Sequence, residues 1–234
     1  MSNDKPQLSV VIPVFNERGN TKPLLEEVDS AMAGHMPYEV IFVDDASTDG
    51  TNEELAELRK THESLTVLTH QNNRGQSAAI DTGVRAARSA VIGVLDGDGQ
   101  NDPADLLKLY DRLQIGGDIR MVIGERQNRH DTWIRKVSSR IANAVRSRLL
   151  QDGITDTGCG LKVFYRDDYL KLPAFDHMHR FMPALVQRSG GEVATVAVNH
   201  RPRVRGDSKY GVNNRLWVGV VDLLGVIWLK HRRL

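Results

Sequence analysis

Two carboxylates one residue apart close the apolar run Val91-Ile92-Gly93-Val94-Leu95, in the order Asp96-Gly97-Asp98-Gly99-Gln100. Side chains two apart on extended backbone point to the same side, so Asp96 and Asp98 can converge on one cation, and Gln100 continues the register. Hard oxygen ligands select Mg²⁺ or Mn²⁺ over zinc, and the glycines let a large ligand approach the backbone. An ion held by so few protein oxygens binds phosphates with its other positions. Two readings compete with this one. Asp96, Asp98, Gly99 and Asp102 resemble the start of a calcium loop, but the twelfth position from Asp96 is Leu107 rather than Glu. The other is a solvated turn rich in Asp and Gly, and the surroundings of the motif must decide against it.

Those surroundings are short Val- and Ile-rich runs alternating with helical patterns. Residues 8–14, 38–43, 65–69, 91–95 and 121–124 read as parallel strands covered on both faces. Between them, 21–32, 51–60, 76–87 and 103–113 read as helices, the last with Asp102 as N-cap and Pro103 at its first position. Strand, helix, strand repeats predict an α/β fold: a doubly wound, mostly parallel central sheet with flanking helices and ligands at its carboxyl edge. Two other strand ends are also polar, Pro13-Val14-Phe15-Asn16-Glu17 and Asp44-Asp45-Ala46-Ser47-Thr48-Asp49-Gly50-Thr51. Asp49 and Thr51 suit the cap and first turn of the next helix. Asp44 and Asp45 stand where a carboxylate accepts hydrogen bonds from a base or ribose, with a turn-and-cap role as the alternative. A dinucleotide fold would place Gly-x-Gly-x-x-Gly after its first strand; here the turn reads Val14-Phe15-Asn16-Glu17-Arg18-Gly19, which argues against NAD.

The 234 residues are 40% apolar and 26% charged, with a net charge of +1, enough for one large domain or two small ones. Near-neutrality argues against a nucleic-acid partner, although the C-terminal half is the basic half. Cys159, the sole cysteine, excludes an internal disulfide, and the polar start Met1-Ser2-Asn3-Asp4-Lys5 lacks the apolar core of a signal peptide, so cytoplasmic residence is expected. The apolar run 216–229, interrupted by Asp222 and closed by Lys230-His231-Arg232-Arg233, falls short of the about 20 residues that span a bilayer. Its two tryptophans and basic end suit an amphipathic helix lying in a membrane interface; a core helix or the contact of a homo-oligomer is the alternative. The division expected is 1–211 as the principal domain and 212–234 as that helix.

The blocks Val10-Val11-Ile12-Pro13-Val14-Phe15-Asn16-Glu17, Val43-Asp44-Asp45-Ala46-Ser47-Thr48-Asp49-Gly50-Thr51, Asn73-Arg74-Gly75 and Asp96-Gly97-Asp98-Gly99-Gln100 resemble, in this order, family 2 glycosyltransferases of GT-A fold. Within that family the chain is similar to polyprenyl-phosphate glycosyltransferases, including dolichyl-phosphate mannose synthases. That likeness rests on Gly124-Glu125-Arg126, Arg135 with Ser139, Thr155-Asp156-Thr157-Gly158-Cys159-Gly160 and Arg203-Val204-Arg205-Gly206-Asp207-Ser208-Lys209-Tyr210. The resemblance implies metal-dependent, inverting transfer of a sugar from a GDP- or UDP-sugar to a polyprenyl phosphate, with mannose as the default sugar. It implies nucleotide binding by Pro13, Val14, Asn16, Glu17, Asp44, Asp45, Arg74, Gly75, Asp96 and Gly97, and a metal on Asp96, Asp98 and Gln100. Asp98, Asp156 and Arg126 are the catalytic candidates. Arg126, Arg135, Ser139, Arg203 and Lys209 are the candidates for the acceptor phosphate. A lipid monophosphate has a second pKa of about 6 and needs little help from a base, but it needs cations to approach another anion. Arg forks suit phosphate oxygens and Lys209 adds a point charge. Many relatives continue into transmembrane helices and this chain does not, which implies peripheral attachment to the inner face of the cytoplasmic membrane. The alternatives are a saccharide acceptor in cell-surface glycan synthesis, which needs a base, and a nucleotide-sugar-binding module without turnover.

Other polar residues read as structural. Arg129, Arg140, Arg146 and Arg148 fit the exposed face of a helix over 132–150. His177, His179 and His200 fit no metal-ligand spacing. Arg180 stands open between contact with the donor and a surface role, and Asp156 between chemistry and the capping of a turn after Asp152-Gly153. Cys159 reads as a small buried side chain.

Overall fold

Every residue of the first Val/Ile-rich run is buried, and so is all but the first residue of the second. Branched side chains covered on both faces are what a central parallel sheet selects. The computed structural model describes residues 5–127, 146–150, 152–202 and 212–232, except for the side chains of 212–218. Its strands are β1 (Leu8–Val14), β2 (Tyr38–Asp44), β3 (Leu65–Thr69), β4 (Val91–Val94), β5 (Ile119–Arg126), β6 (Lys162–Tyr165) and β7 (Glu192–Val198). They form one sheet in the order β3-β2-β1-β4-β6-β5-β7. All pairs are parallel except those of β6, which runs antiparallel to both β4 and β5.

The helices are α1 (Thr21–Met32), α2 (Thr51–Arg59), α3 (Gln76–Ala86), α4 (Asp105–Gln114), α5 (described over 146–150), α6 (Arg166–Tyr169), α7 (Met182–Arg188) and α8 (Val212–His231), with a 3₁₀ turn at Met178–Arg180. Helical spacing puts Leu24, Leu25, Val28 and Met32 of α1 into the core, and likewise Leu106, Leu109 and Leu113 of α4. α3 lies so close to the sheet that a Cβ on Gly83 would stand 2.4 Å from Cγ1 of Val11.

Register brings the loops to one edge. Val14 pairs with Asp44 and Asp44 with Thr69, so β1, β2 and β3 end level. Leu95 donates to the carbonyl of Val11 at 3.1 Å, which delivers Asp96 to the same edge. Because β6 enters from that edge, Asp156 to Gly160 are brought to it as well. β5 and β7 also end there, with Arg126 paired to Val198.

The structure corrects the sequence reading in detail. Beyond the five expected strands it adds β6 and β7, both short or half-exposed and so without a strong period-2 signal. The fourth helix begins at Asp105, after a turn in which Oδ1 of Asp102 accepts the Ala104 N–H at 3.1 Å. Arg146, read as solvated, is buried: it donates to Asp152 at 2.7 Å and to the carbonyl of Ile154 at 2.7 Å, because the chain turns back at Gly153 (φ +67°). α8 packs Val226 inward and leaves Val221, Leu224 and Trp228 exposed. Its last carbonyls are satisfied by Arg188, which bonds Leu229 at 2.8 Å and Arg232 at 2.6 Å.

Candidate active site

At the end of β1 the chain turns through Asn16 (φ +54°), whose side-chain oxygen accepts the Thr48 N–H at 2.7 Å while its own N–H reaches Ser47 Oγ at 2.8 Å. Glu17 is buried, donates its N–H to Thr51 Oγ1 at 2.9 Å and accepts from Asn20 at 2.7 Å. These contacts join the two polar strand ends predicted from the sequence into one wall. Pro13 and Val14 are buried behind it, and a Cβ on Gly97 would stand 2.5 Å from Val14 Cγ1, so only glycine admits the Asp96–Gln100 loop so close.

Asp44 and Asp45 have different jobs. Oδ1 of Asp44 accepts both the N–H and the hydroxyl of Ser47, whereas Oδ2 is buried with no hydrogen-bond partner among the described residues. A buried carboxylate oxygen left open costs desolvation, and a ligand N–H or O–H would relieve it. Asp45 instead holds protein. Its Oδ1 accepts from His70 Nδ1 at 2.6 Å and from the Arg74 N–H at 2.9 Å, and its Oδ2 accepts the Gly75 N–H at 2.7 Å. Arg74, at the bend so formed, is exposed.

Asp96 follows directly. Gln76, the first residue of α3, donates to its Oδ1 at 2.8 Å. Burial raises the Asp96 pKa, and the charge of Asp98 raises it further, against the opposing pull of Lys162 and Arg126. Two carboxylates that repel each other in a half-closed site form a donor set suited to a hard divalent ion, and among the described residues no group of three His, Cys, Asp or Glu side chains offers a richer one. Gly160 lies against Asp96: a Cβ there would lie 1.9 Å from Asp96 Oδ2. Asp98 accepts the Gln100 N–H at 3.1 Å, and the Gln100 side-chain amide donates to the Arg201 carbonyl at 3.3 Å, tying the Asp96–Gln100 loop to the stretch after β7. Arg201 clamps that tie through Asp102 at 3.0 Å and Glu27 at 2.7 Å.

Arg126 and Asp156 form a forked pair, Nε to Oδ2 at 2.8 Å and Nη2 to Oδ1 at 2.7 Å, with the Arg126 N–H also on Oδ2 at 3.2 Å. The carboxylate thereby fixes the guanidinium at the edge of β5 and, though burial opposes its charge, keeps it cationic. Lys162 is buried beneath, donating to the Cys159 carbonyl, and burial lowers its pKa. Opposite, Ser77 Oγ accepts the His179 N–H at 3.2 Å and lies 2.7 Å from Nδ1 of the same ring. Burial first, then the charges of Lys162 and Arg180, hold the His179 pKa well below 6.5, so the ring is neutral.

Of the residues predicted from the sequence, this edge gathers Pro13, Val14, Asn16, Glu17, Asp44, Asp45, Arg74, Gly75, Asp96, Gly97, Asp98, Gln100, Arg126 and Asp156. Arg135, Ser139, Arg203 and Lys209 lie outside the described residues. Gln76, Lys162 and His70 stand at the site without a sequence signal, since a lone Gln, Lys or His carries no pattern; Gly160 closes the Thr155–Gly160 block read from the sequence, and only the fold sets all four beside the aspartates.

A sheet with this edge, an Asp-x-Asp loop after β4 and an antiparallel strand beyond it defines a GT-A glycosyltransferase. Glucosyl-3-phosphoglycerate synthase from Mycobacterium tuberculosis, solved with Mn²⁺, UDP and glucosyl-3-phosphoglycerate, superposes with a TM-score of 0.73 over 96% of this chain and 80% of that one, at 17% identity. The chain belongs to glycosyltransferase family 2: the model of that family, glycosyl transferase family 2, matches residues 9–172. It is 36% identical over 233 residues to dodecaprenyl-phosphate galacturonate synthase of Rhizobium johnstonii, covering 96% of this chain and 68% of that protein. It is 33% identical over 214 residues to undecaprenyl-phosphate 4-deoxy-4-formamido-L-arabinose transferase of Aeromonas hydrophila, covering 90% and 65%. The chain thus spans about two thirds of the length of these relatives.

Proposed function

We propose that the chain transfers a sugar from a nucleotide sugar to a polyprenyl phosphate, with inversion and with Mg²⁺ or Mn²⁺ as cofactor. One observation carries the reading: at a single sheet edge the open oxygen of Asp44, the repelling pair Asp96 and Asp98, and the guanidinium of Arg126 fixed by Asp156 stand together. Asp44 takes the nucleoside base. With Oδ1 already held by Ser47, one oxygen remains, which suits the single N–H of uracil better than the two adjacent donors of guanine, so a UDP-sugar is the donor we favour.

Asp96 and Asp98, with Gln100 beside them, would hold the metal, which supplies positive charge to the departing diphosphate. Arg74 and the Gly75 N-terminal end of α3 line the approach of that diphosphate. Asp156 is committed to Arg126 through both oxygens and is poorly placed to serve as a base. A saccharide hydroxyl would need one; a lipid phosphate, largely dianionic at neutral pH, would not. This favours the phosphate acceptor, with Arg126 as its described anchor and Arg135, Ser139, Arg203 and Lys209 as its further ligands. The relatives are named for galacturonate and 4-deoxy-4-formamido-L-arabinose, so mannose is no longer the sugar we favour.

Residues 1–211 are the catalytic unit in this reading, and α8, with its exposed Val221, Leu224 and Trp228 beside Lys230 and Arg232, meets the cytoplasmic face of the membrane where the acceptor resides. No helix among the described residues is long and apolar enough to cross a membrane. The test is release of nucleoside diphosphate by purified protein, supplied with polyprenyl phosphate, Mn²⁺ and a panel of nucleotide sugars. Release should require both lipid and metal. Asp98→Ala should abolish it, and Lys209→Ala should raise the KM of the acceptor while sparing that of the donor. Turnover by Asp98→Ala without metal would overturn the assignment.

A further inference from the structure

The side chain of His70, one residue beyond β3, is 7% exposed, and both of its ring nitrogens are engaged. Nδ1 lies 2.6 Å from Asp45 Oδ1 and Nε2 lies 2.9 Å from Thr82 Oγ1 of α3. An ionised carboxylate only accepts, so Nδ1 carries the proton. The His70 N–H is itself fixed on the Asp44 carbonyl at 2.9 Å. Asp45 passes this constraint on: it grips the N–H groups of Arg74 and Gly75 at 2.9 and 2.7 Å, and its carbonyl accepts from the Asn73 side chain at 3.2 Å. Gly75 (φ +84°) turns the chain into α3, whose first residue, Gln76, bonds Asp96 at 2.8 Å.

The geometry points to His70 as a positioning residue for the donor half of the site: through Asp45 it sets the Asn73-Arg74-Gly75 bend and, one residue on, the Gln76 contact that aims Asp96. Thr82, seven residues along α3 from Gly75, holds the far side of the ring, so the imidazole braces the helix at both ends of its first two turns. His70 touches neither nucleotide nor metal in this account. Its loss therefore acts on how well the donor and the ion are held and leaves the acceptor half, built on Arg126 and Asp156, as it was. The inference rests on the donor and metal assignment above.

The experiment is calorimetric titration of the full chain with UDP and Mn²⁺, alongside steady-state kinetics with separate donor, acceptor and metal dependences. His70→Leu should weaken UDP–Mn²⁺ binding and raise both the donor KM and the half-saturating Mn²⁺ concentration by about tenfold, the scale of one charge-assisted hydrogen bond, with the acceptor KM unchanged. His70→Asn, which keeps a donor near the Nδ1 position, should restore most of that loss. Equal binding by His70→Leu and the wild type, a loss spread equally over donor and acceptor, or a loss that Asn leaves unrepaired would overturn the inference. If His70→Leu does not fold, Thr82→Val removes the second brace and carries the same test: a weaker donor KM supports the role and an unchanged one overturns it. Failure of the wild type to bind UDP–Mn²⁺ at all would instead defeat the donor assignment on which the inference stands.

Discussion

At the scale of single residues, contact distance separates Asp44 from Asp45, which the sequence presents as equivalent neighbours. One keeps a buried oxygen open and the other spends both on a histidine and two backbone amides. Gly160 shows the same kind of information in reverse, since its missing side chain is the space that Asp96 occupies. Alanine there would displace the end of a flexible carboxylate rather than backbone. Gly160→Ala should therefore keep a near wild-type melting temperature while losing Mn²⁺-dependent nucleotide binding, measured by calorimetry. His179 gives a pH signature. Its folded pKa is depressed, so the unfolded chain binds the extra proton first, and the stability it contributes is complete above about 6.5 and is lost as pH falls below it. The slope is at most about 1.4 kcal/mol per pH unit. Denaturant titrations between pH 7.5 and 5.5, an interval of about 2 units chosen to bracket the unperturbed value, should show His179→Gln flatter than the wild type.

At the scale of elements, the site depends on how tightly α3 is laid on the sheet. Gly83 lies where a Cβ would meet Val11 at 2.4 Å and Val43 at 3.2 Å, both fully buried. Replacing glycine by alanine inside a helix gains about 1 kcal/mol of propensity, whereas overpacking a buried contact costs about 1–3 kcal/mol. Val11 sits in the central strand and has nowhere to go, so the cost wins, and Gly83→Ala should lower unfolding free energy by about 1 kcal/mol. Chemical denaturation measures it directly. The same helix carries Gln76 to Asp96 and Ser77 to His179, so its close approach positions chemistry as well as packing.

At the scale of the whole molecule, the polar sheet edge and the exposed face of α8 divide the work proposed here: one handles the charged donor, the other the surface that carries the acceptor. Val221, Leu224 and Trp228 are 64%, 62% and 59% exposed, a row on one side of a helix whose other side packs Val226 into the core. Burying one such side chain in lipid is worth about 1.5–3 kcal/mol, so Trp228→Glu should reduce co-sedimentation with anionic vesicles about tenfold while leaving the circular dichroism spectrum unchanged. Much of this was legible beforehand. Apolar runs of strand length marked β1 to β5 and the four helices between them, and the aspartates announced themselves because strand ends of an α/β sheet are where polar residues converge. Local pattern determined those things because periodicity and turn chemistry act over a few residues. The antiparallel entry of β6, the burial of Arg146, the capture of Asp156 by Arg126 and the presence of His70, Gln76, Gly160 and Lys162 around the aspartates were decided by the tertiary structure alone. Arg146 meets Asp152 six residues on, at the turn around Gly153; the other partners lie 20 or more residues apart in the chain, and only strand order and register bring them within bonding distance.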